Sequence, residues 1–337
     1  MKKIGIFDSG VETPEEIIMA AGFVPYRLFG DPNIEPDKAN EHIPPTHCVW
    51  TRNLLEQAII GLDKDIVGII CTHGCDRTNR EFDIWLECIN LDFMFSPRKR
   101  GDIALNFFID DIKEMITQLE NKFNVKITPD KIKDAIKKMN EIRSLLKEIS
   151  EYRNNMILKT SEFHALIKIA QQEDKDKVLE ILKSKLDELK VRNPFNEKEL
   201  KKVLLTGSDI DDTEFIKYLE DLGFHVIIDD LPIGTKYFWN NVNEQGDPIE
   251  ALANYHLTKP IYSTKFPSYE RFNVLKQLVE QYKVDGVLNI AQKFCEPMLY
   301  DHPYMNKMFK EKLKIPYLFV EMTYSRESYK QLSTRFS

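Results

Sequence analysis

Sulfur is the first chemistry this sequence offers. Its five cysteines, Cys48, Cys71, Cys75, Cys88 and Cys295, are an odd number in a 337-residue chain, and residues 1–7 show no signal-peptide apolar region. That combination disfavours a disulfide framework and leaves free thiols or metal ligands. A single buried cysteine is by default a small hydrophobe in a core, so a functional reading must rest on where several of them sit. No C-x-x-C pair is present, and Cys71 and Cys75 have three residues between them. Close C-x-x-C pairs mark structural zinc sites; widely separated thiolates suit an iron-sulfur cluster lodged between domains, with zinc remaining an alternative. Cys88 shares a segment with Phe82 and Trp85 at helical spacing and reads as packing.

The elements that must position these thiols alternate strand and helix. An apolar strand over 66–70 runs into Cys71 and Cys75, and another over 286–291 leads to Cys295. Cys48 stands just before a helix over 49–62, where unpaired N–H groups and the positive dipole end favour a thiolate. In open parallel sheets ligands bind beyond the carboxyl ends of the strands. Loops from two domains are therefore expected to converge on one cleft.

Around these segments, Thr13-Pro14-Glu15-Glu16 reads as a capping box with Gly22 as the stop of a short helix, followed by a strand over 23–28 and, past the first cysteines, a helix over 76–89. Residues 103–192 read as nearly continuous amphipathic helix, restarting at Thr128-Pro129 and Thr160-Ser161, with Lys/Glu pairs on solvated faces. The pattern resets at Arg192-Asn193-Pro194. Strands over 203–206, 225–228, 286–291 and 317–320 then alternate with helices over 212–222, 248–257, 269–282 and 304–313. The expected fold class is α/β: two Rossmann-like (flavodoxin-like) parallel-sheet domains, 1–102 and 195–337, with a helical segment, 103–194, between them.

Composition narrows the partners. Hydrophobic residues at 42% and charged residues at 30% are ordinary for a folded soluble protein. The formal charge of -7 argues against nucleic acid, whose binding rests on excess Lys and Arg. No stretch reaches the 18 or so apolar residues of a membrane span, so no membrane role is expected and the cytoplasm is the expected address. The chain also lacks a Gly-x-x-x-x-Gly-Lys loop for nucleotide phosphates.

Five segments resemble, in order, the 2-hydroxyacyl-CoA dehydratase and benzoyl-CoA reductase subunit family. They are Thr13-Pro14-Glu15-Glu16 through Gly22-Phe23-Val24-Pro25; Cys75-Asp76 followed by Trp85; Ile127-Thr128-Pro129-Asp130 on to Glu141-Ile142-Arg143; Lys293-Phe294-Cys295-Glu296-Pro297; and Gln331-Leu332-Ser333-Thr334-Arg335. The resemblance implies a 4Fe-4S cluster held by three cysteines, mapping onto Cys48, Cys75 and Cys295 with Cys71 as an alternative ligand. One iron is then left without a cysteine. In such enzymes, which are oxygen-sensitive, one low-potential electron turns an acyl-CoA thioester into a ketyl radical that expels the neighbouring hydroxyl. The electron comes from an ATP-dependent activator protein, and the catalytic unit pairs with a homologous second subunit as a heterodimer, or with itself as a homodimer.

Beside the cysteines, His73, Asp76 and Glu296 could move protons, with His73 and Glu296 the catalytic candidates; each has the plainer reading of a loop residue bonded to its surroundings. Arg98-Lys99-Arg100 could meet coenzyme A phosphates or could be ordinary surface. Rival readings are an electron-relay subunit and a reductase with a double-cubane cluster, which needs more thiolates than three. A remoter one is a cysteine-dependent racemase, since Ile4-Gly5-Ile6-Phe7-Asp8-Ser9-Gly10 with Cys71-Thr72-His73 resembles fragments of glutamate racemases.

Overall fold

The computed structural model describes residues 1–88, 92–94, 101–195 and 200–329. The Cys88 side chain, Arg98-Lys99-Arg100 and the segment Gln331 to Arg335 lie outside what is described. In chain order the first group of elements is β1 (Lys3–Phe7), α1 (Glu15–Ala20), β2 (Val24–Arg27), α2 (Ala39–His42), α3 (Val49–Ile60), β3 (Ile66–Thr72), α4 (Asp76–Cys88) and β4 (Asp92–Met94). Four helices follow: α5 (Asp102–Phe123), α6 (Pro129–Asn154), α7 (Thr160–Gln172) and α8 (Lys175–Val191). The last group is β5 (Lys201–Gly207), α9 (Thr213–Asp221), β6 (Phe224–Asp229), α10 (Pro248–Thr258), α11 (Tyr269–Tyr282), β7 (Gly286–Gln292), α12 (Glu296–Asn306) and β8 (Tyr317–Met322).

The strands form two parallel sheets with the same internal order, β2-β1-β3-β4 and β6-β5-β7-β8. That repeated order is the start of the flavodoxin-like winding, which reverses between its first and third strands and opens a crevice there. Period-2 alternation sends Val203 and Leu205 of β5 to the face covered by Phe215, Ile216 and Leu219 of α9. Leu204 goes to the opposite face, under Phe272 and Leu275 of α11 and Phe309. The first sheet is sandwiched likewise: Phe7, Ile69 and Cys71 lie against α3 and Trp85 of α4, while Ile4 and Ile6 lie against α1, α5 and α6. Sheets buried on both faces appear in the sequence as apolar runs, and these are the strands that the sequence makes plain.

The units share their cores. Leu252 and Tyr255 of α10, although carried by the second unit, join the cluster of Ile4 and Ile6, and Tyr324, just past β8, joins that of Phe7 and Trp50. The helical segment is likewise packed rather than free, with Met139, Phe163 and Leu182 in one cluster with Tyr237 and Phe238.

Several local expectations are corrected. No side-chain cap closes α1: Thr13 turns its hydroxyl to Asp8 and Thr72, and Glu16 pairs with Arg143 of α6 at 2.5 Å. Two buried groups outcompete the local capping bond. Gly22 does end the helix, at φ +88. The stretch 103–192 breaks three times, the unforeseen break falling at Asp174, whose carboxylate accepts from the Asp176 and Lys177 amides. The helix expected over 304–313 begins earlier, at Glu296, carries Pro303 inside it, and continues as π-helix over Lys307–Leu313. Pro303 reads as a start signal in sequence, whereas here it costs one intrahelical bond near the switch to π geometry.

Candidate functional site

At the carboxyl ends of β1 and β3, and of β5 and β7, the two crevices face each other and enclose a cleft of about 300 Å³. Cys48, Cys75 and Cys295 all line it. Each stands immediately before a helix, Cys48 before α3, Cys75 before α4 and Cys295 before α12. Three helix N-termini therefore aim their free N–H groups and positive dipole ends at one space, an arrangement suited to thiolates or an anionic centre. The helices expected over 49–62 and 76–89 already put Cys48 and Cys75 in that position, whereas Cys295 reaches it through the early start of α12.

Local chemistry fixes each thiol. The β1 loop wraps round the buried Asp8 carboxylate, which accepts from the Gly10, Glu12 and Thr13 amides at 2.6, 2.6 and 2.9 Å. This sets Ser9 on the cleft floor beside Cys75, whose thiol it helps to lower. Gly74 allows the approach, since a Cβ there would lie 2.4 Å from the Ser9 Oγ. The Thr78 amide donates to the Cys75 Sγ at 3.4 Å.

Burial dominates the acidity of all three thiols. It pushes Cys48 up to about 12 against the opposing pull of the Thr51 and Trp50 amides, so the helix terminus does not by itself produce the thiolate expected from sequence. Burial also raises Cys75, and it holds Cys295 well above the ordinary thiol range, with the Cys48 sulfur raising it further. Buried thiols that influence one another need a cationic centre to become thiolates. Among the described residues no three His, Cys, Asp or Glu side chains converge as one mononuclear ion would demand. A cubane places each thiolate on a different iron and so accepts wider sulfur spacing than one zinc ion does; the three cysteines share the lining of one cleft.

The other sequence candidates separate. Cys71 is fully buried among Phe7, Leu55 and Trp85 and is absent from the cleft lining. His73 lies outside the lining too, its Nε2 3.9 Å from Asp76 Oδ1. Glu296 and Asp76 do line the cleft. Glu296 accepts from Arg77 Nη2 at 2.7 Å, joining second unit to first across the mouth. Arg77 Nη1 in turn lies 3.1 Å from His47 Nδ1, and His47 Nε2 lies 2.7 Å from Glu81.

Sequence reasoning missed Asp209 and Tyr262. Asp209 follows β5, is 3% exposed, and lines the cleft with its Oδ2 3.5 Å from the Tyr262 hydroxyl. Its other oxygen stands 3.8 Å from Arg27 Nη2, beyond hydrogen-bond reach. Burial drives this carboxyl well above the usual range, Arg27 pulling the other way, and so favours its protonated form. The available signal was its position one loop residue past an apolar strand. The segment carrying Tyr262 lines the cleft, and Thr264 Oγ1 donates to the Gly74 carbonyl at 2.5 Å.

Comparison with known proteins bears on this arrangement. The family described as "2-hydroxyglutaryl-CoA dehydratase, D-component" matches residues 11–337. The (R)-phenyllactyl-CoA dehydratase beta subunit of Clostridium sporogenes is 27% identical over 328 residues, 96% of this chain and 87% of that one. The beta subunit of the lactoyl-CoA dehydratase of Anaerotignum propionicum is 24% identical over 332 residues, covering 96% and 88%. A benzoyl-CoA reductase subunit of Thauera aromatica is 25% identical over 323 residues, covering 91% and 82%.

Proposed function

Because the chain belongs to the 2-hydroxyglutaryl-CoA dehydratase D-component family, we propose that it is the iron-sulfur subunit of an enzyme that removes water from a 2-hydroxyacyl-CoA thioester by one-electron reduction. The observation that supports this reading is that Cys48, Cys75 and Cys295, from two sheet units, line one cleft. In this reading those three thiolates hold a 4Fe-4S cluster, and one iron has no cysteine. Bound there, the cluster would supply a low-potential electron and a Lewis-acidic iron to the substrate carbonyl.

The chain's own residues supply the rest. Three helix termini stabilise negative charge in the cleft, and the loop carrying Tyr262 and Thr264 limits water. The Asp209 carboxyl and Tyr262 hydroxyl offer protons to an oxygen leaving the substrate, and Glu296, tethered by Arg77, stands at the mouth. His73, outside the lining, is assigned no catalytic part. We take the units as residues 1–102, 103–194 and 195–337.

Relatives named as beta subunits support assembly with a homologous second subunit, and an ATP-dependent activator is the proposed electron donor. No helix among the described residues is long and apolar enough to cross a membrane, and we assign the complex to the cytoplasm. The likeness to a benzoyl-CoA reductase subunit favours, as the second reading, a reductase or an electron-relay subunit. Enclosure of Cys71 in the core supports one cubane over two, and also removes the motif cysteine of the racemase reading.

Anaerobic reconstitution tests the proposal. The wild-type chain should hold about four irons and be brown, whereas Cys48→Ala, Cys75→Ala and Cys295→Ala should lose colour. Full colour in all three would refute the ligand set. A change in the EPR spectrum of the reduced protein on adding a 2-hydroxyacyl-CoA would favour catalysis over relay.

A further inference from the structure

Behind the cysteine cleft lies a junction that the ligand set does not explain. Asp211, fully buried at 0% exposed, follows β5 in the second unit, and its oxygens take hydrogen bonds from several parts of the chain. Oδ2 accepts from the Trp50 indole at 2.7 Å and from the Gly30 amide at 2.8 Å, both in the first unit. Oδ1 accepts from the Tyr324 hydroxyl at 2.5 Å, and the main-chain carbonyl accepts from Lys168 of α7 at 2.7 Å. The packing is tight: a Cβ on Gly30 would lie 2.4 Å from the Tyr324 Oη. Trp50 is itself only 2% exposed and lies two residues beyond Cys48, in the first turn of α3.

We propose that Asp211 is a positioning residue for the cluster site: through the Trp50 indole it fixes the start of α3, and with it Cys48, relative to Cys295 across the cleft. A carboxylate suits the task because it accepts several bonds at once, and charge-assisted bonds are the strong ones. Asp211 ties the first turn of α3 to the loop that also bears Asp209, and so acts on the placing of Cys48 beside a direct link to the Cys295 loop, the Val49 amide 3.5 Å from the Lys293 carbonyl. This rests on the cluster reading above, and its test separates the two.

The test compares Asp211→Asn and Trp50→Phe with Asn140→Ala. The asparagine turns an amide donor towards donors, and the phenylalanine removes the indole N–H together with part of the buried ring, so the two variants disturb the junction from opposite sides. Asn140 makes buried bonds to Val242 and neither residue lines the cleft, so its loss reports general destabilisation. In the reconstituted protein, the first two variants should release iron to a chelator about tenfold faster than the wild type, as the loss of one buried bond allows, and should shift the EPR spectrum of the reduced cluster. The effects in their double variant should be less than additive, because the Trp50–Asp211 bond is lost in both single variants. Asn140→Ala should melt lower yet keep the wild-type spectrum. Wild-type spectra and release rates in Asp211→Asn and Trp50→Phe, or an equal shift in Asn140→Ala, would overturn the assignment. Alkylation of Cys48 in the metal-free chain, followed by peptide mass spectrometry, decides it independently: Asp211→Asn should react about tenfold faster, and an unchanged rate refutes the positioning role. Should the wild type take up no iron, the cluster reading fails while this measurement still stands.

Discussion

At the scale of the residue, Asp209 separates function from stability. Burial raises its carboxyl well above the ordinary range, Arg27 opposing. In the unfolded chain the same group ionises near 3.9. Between those two values the folded state binds the extra proton, so this residue's contribution to stability falls as pH rises through the window. Asp209→Asn removes that liability while keeping size and shape. It should melt no lower than the wild type at pH 7, retain its iron, and lose about 10²-fold or more in dehydration rate. A variant that turns over normally would exclude Asp209 from proton delivery. Why Asp209 was invisible in the sequence follows from the same chemistry. The cysteines were legible because sulfur is rare and each follows a recognisable strand or precedes a helix. An aspartate past a strand is ordinary until Arg27, Tyr262 and the burial around it are known. Cys71, one residue from the end of its strand, shows the converse: the sequence could not tell which of two neighbouring thiols faces inward, because that depends on where the strand ends.

At the scale of the element, the same short motif can serve different ends. Thr13 looks like a helix cap, and Asp174 carries no such signature, yet the structure reverses them. The Thr13 hydroxyl reaches Asp8 at 3.1 Å and Thr72 at 2.5 Å, stapling the β1 loop to the end of β3, while Asp174 caps α8. Two substitutions distinguish a staple near the cleft from a cap remote from it. Thr13→Val should cost about 1–2 kcal/mol in urea unfolding, as buried polar partners are left unpaired, and should also speed iron release, because the loop it holds carries Ser9 beside Cys75. Asp174→Ala should cost about 1 kcal/mol through the lost cap and leave iron release unchanged. If both variants behaved alike, the β1 loop would have no special hold on the site. Strand and helix order was legible because parallel strands buried on both faces are apolar runs. The early start of α12 was not, because Pro303 inside a helix imitates a boundary, and only the packing of Met298 and Met305 reveals one continuous element.

At the scale of the whole molecule, the three thiols line a cleft between two sheet units that are held by shared cores and by contacts such as Arg77 with Glu296. Their protonation therefore couples the cleft to global stability. Each is raised by burial, Cys48 to about 12, whereas a thiol in the unfolded chain ionises near 8.5. In the metal-free protein the folded state thus keeps protons that the unfolded state releases. Its stability should fall as pH rises above about 8.5. With the cluster in place the thiolates are already formed, their charge is balanced by iron, and that loss disappears. Cluster assembly near pH 7 should release more protons per chain from the wild type than from the Cys48→Ala, Cys75→Ala and Cys295→Ala variants, which hold no cluster. The difference in melting temperature between cluster-bound and metal-free protein should widen from about pH 7.5 to about 9.5. A difference that stays flat across that range, measured anaerobically by calorimetry, would mean that the thiols lining the cleft are not the groups on which the cluster is built.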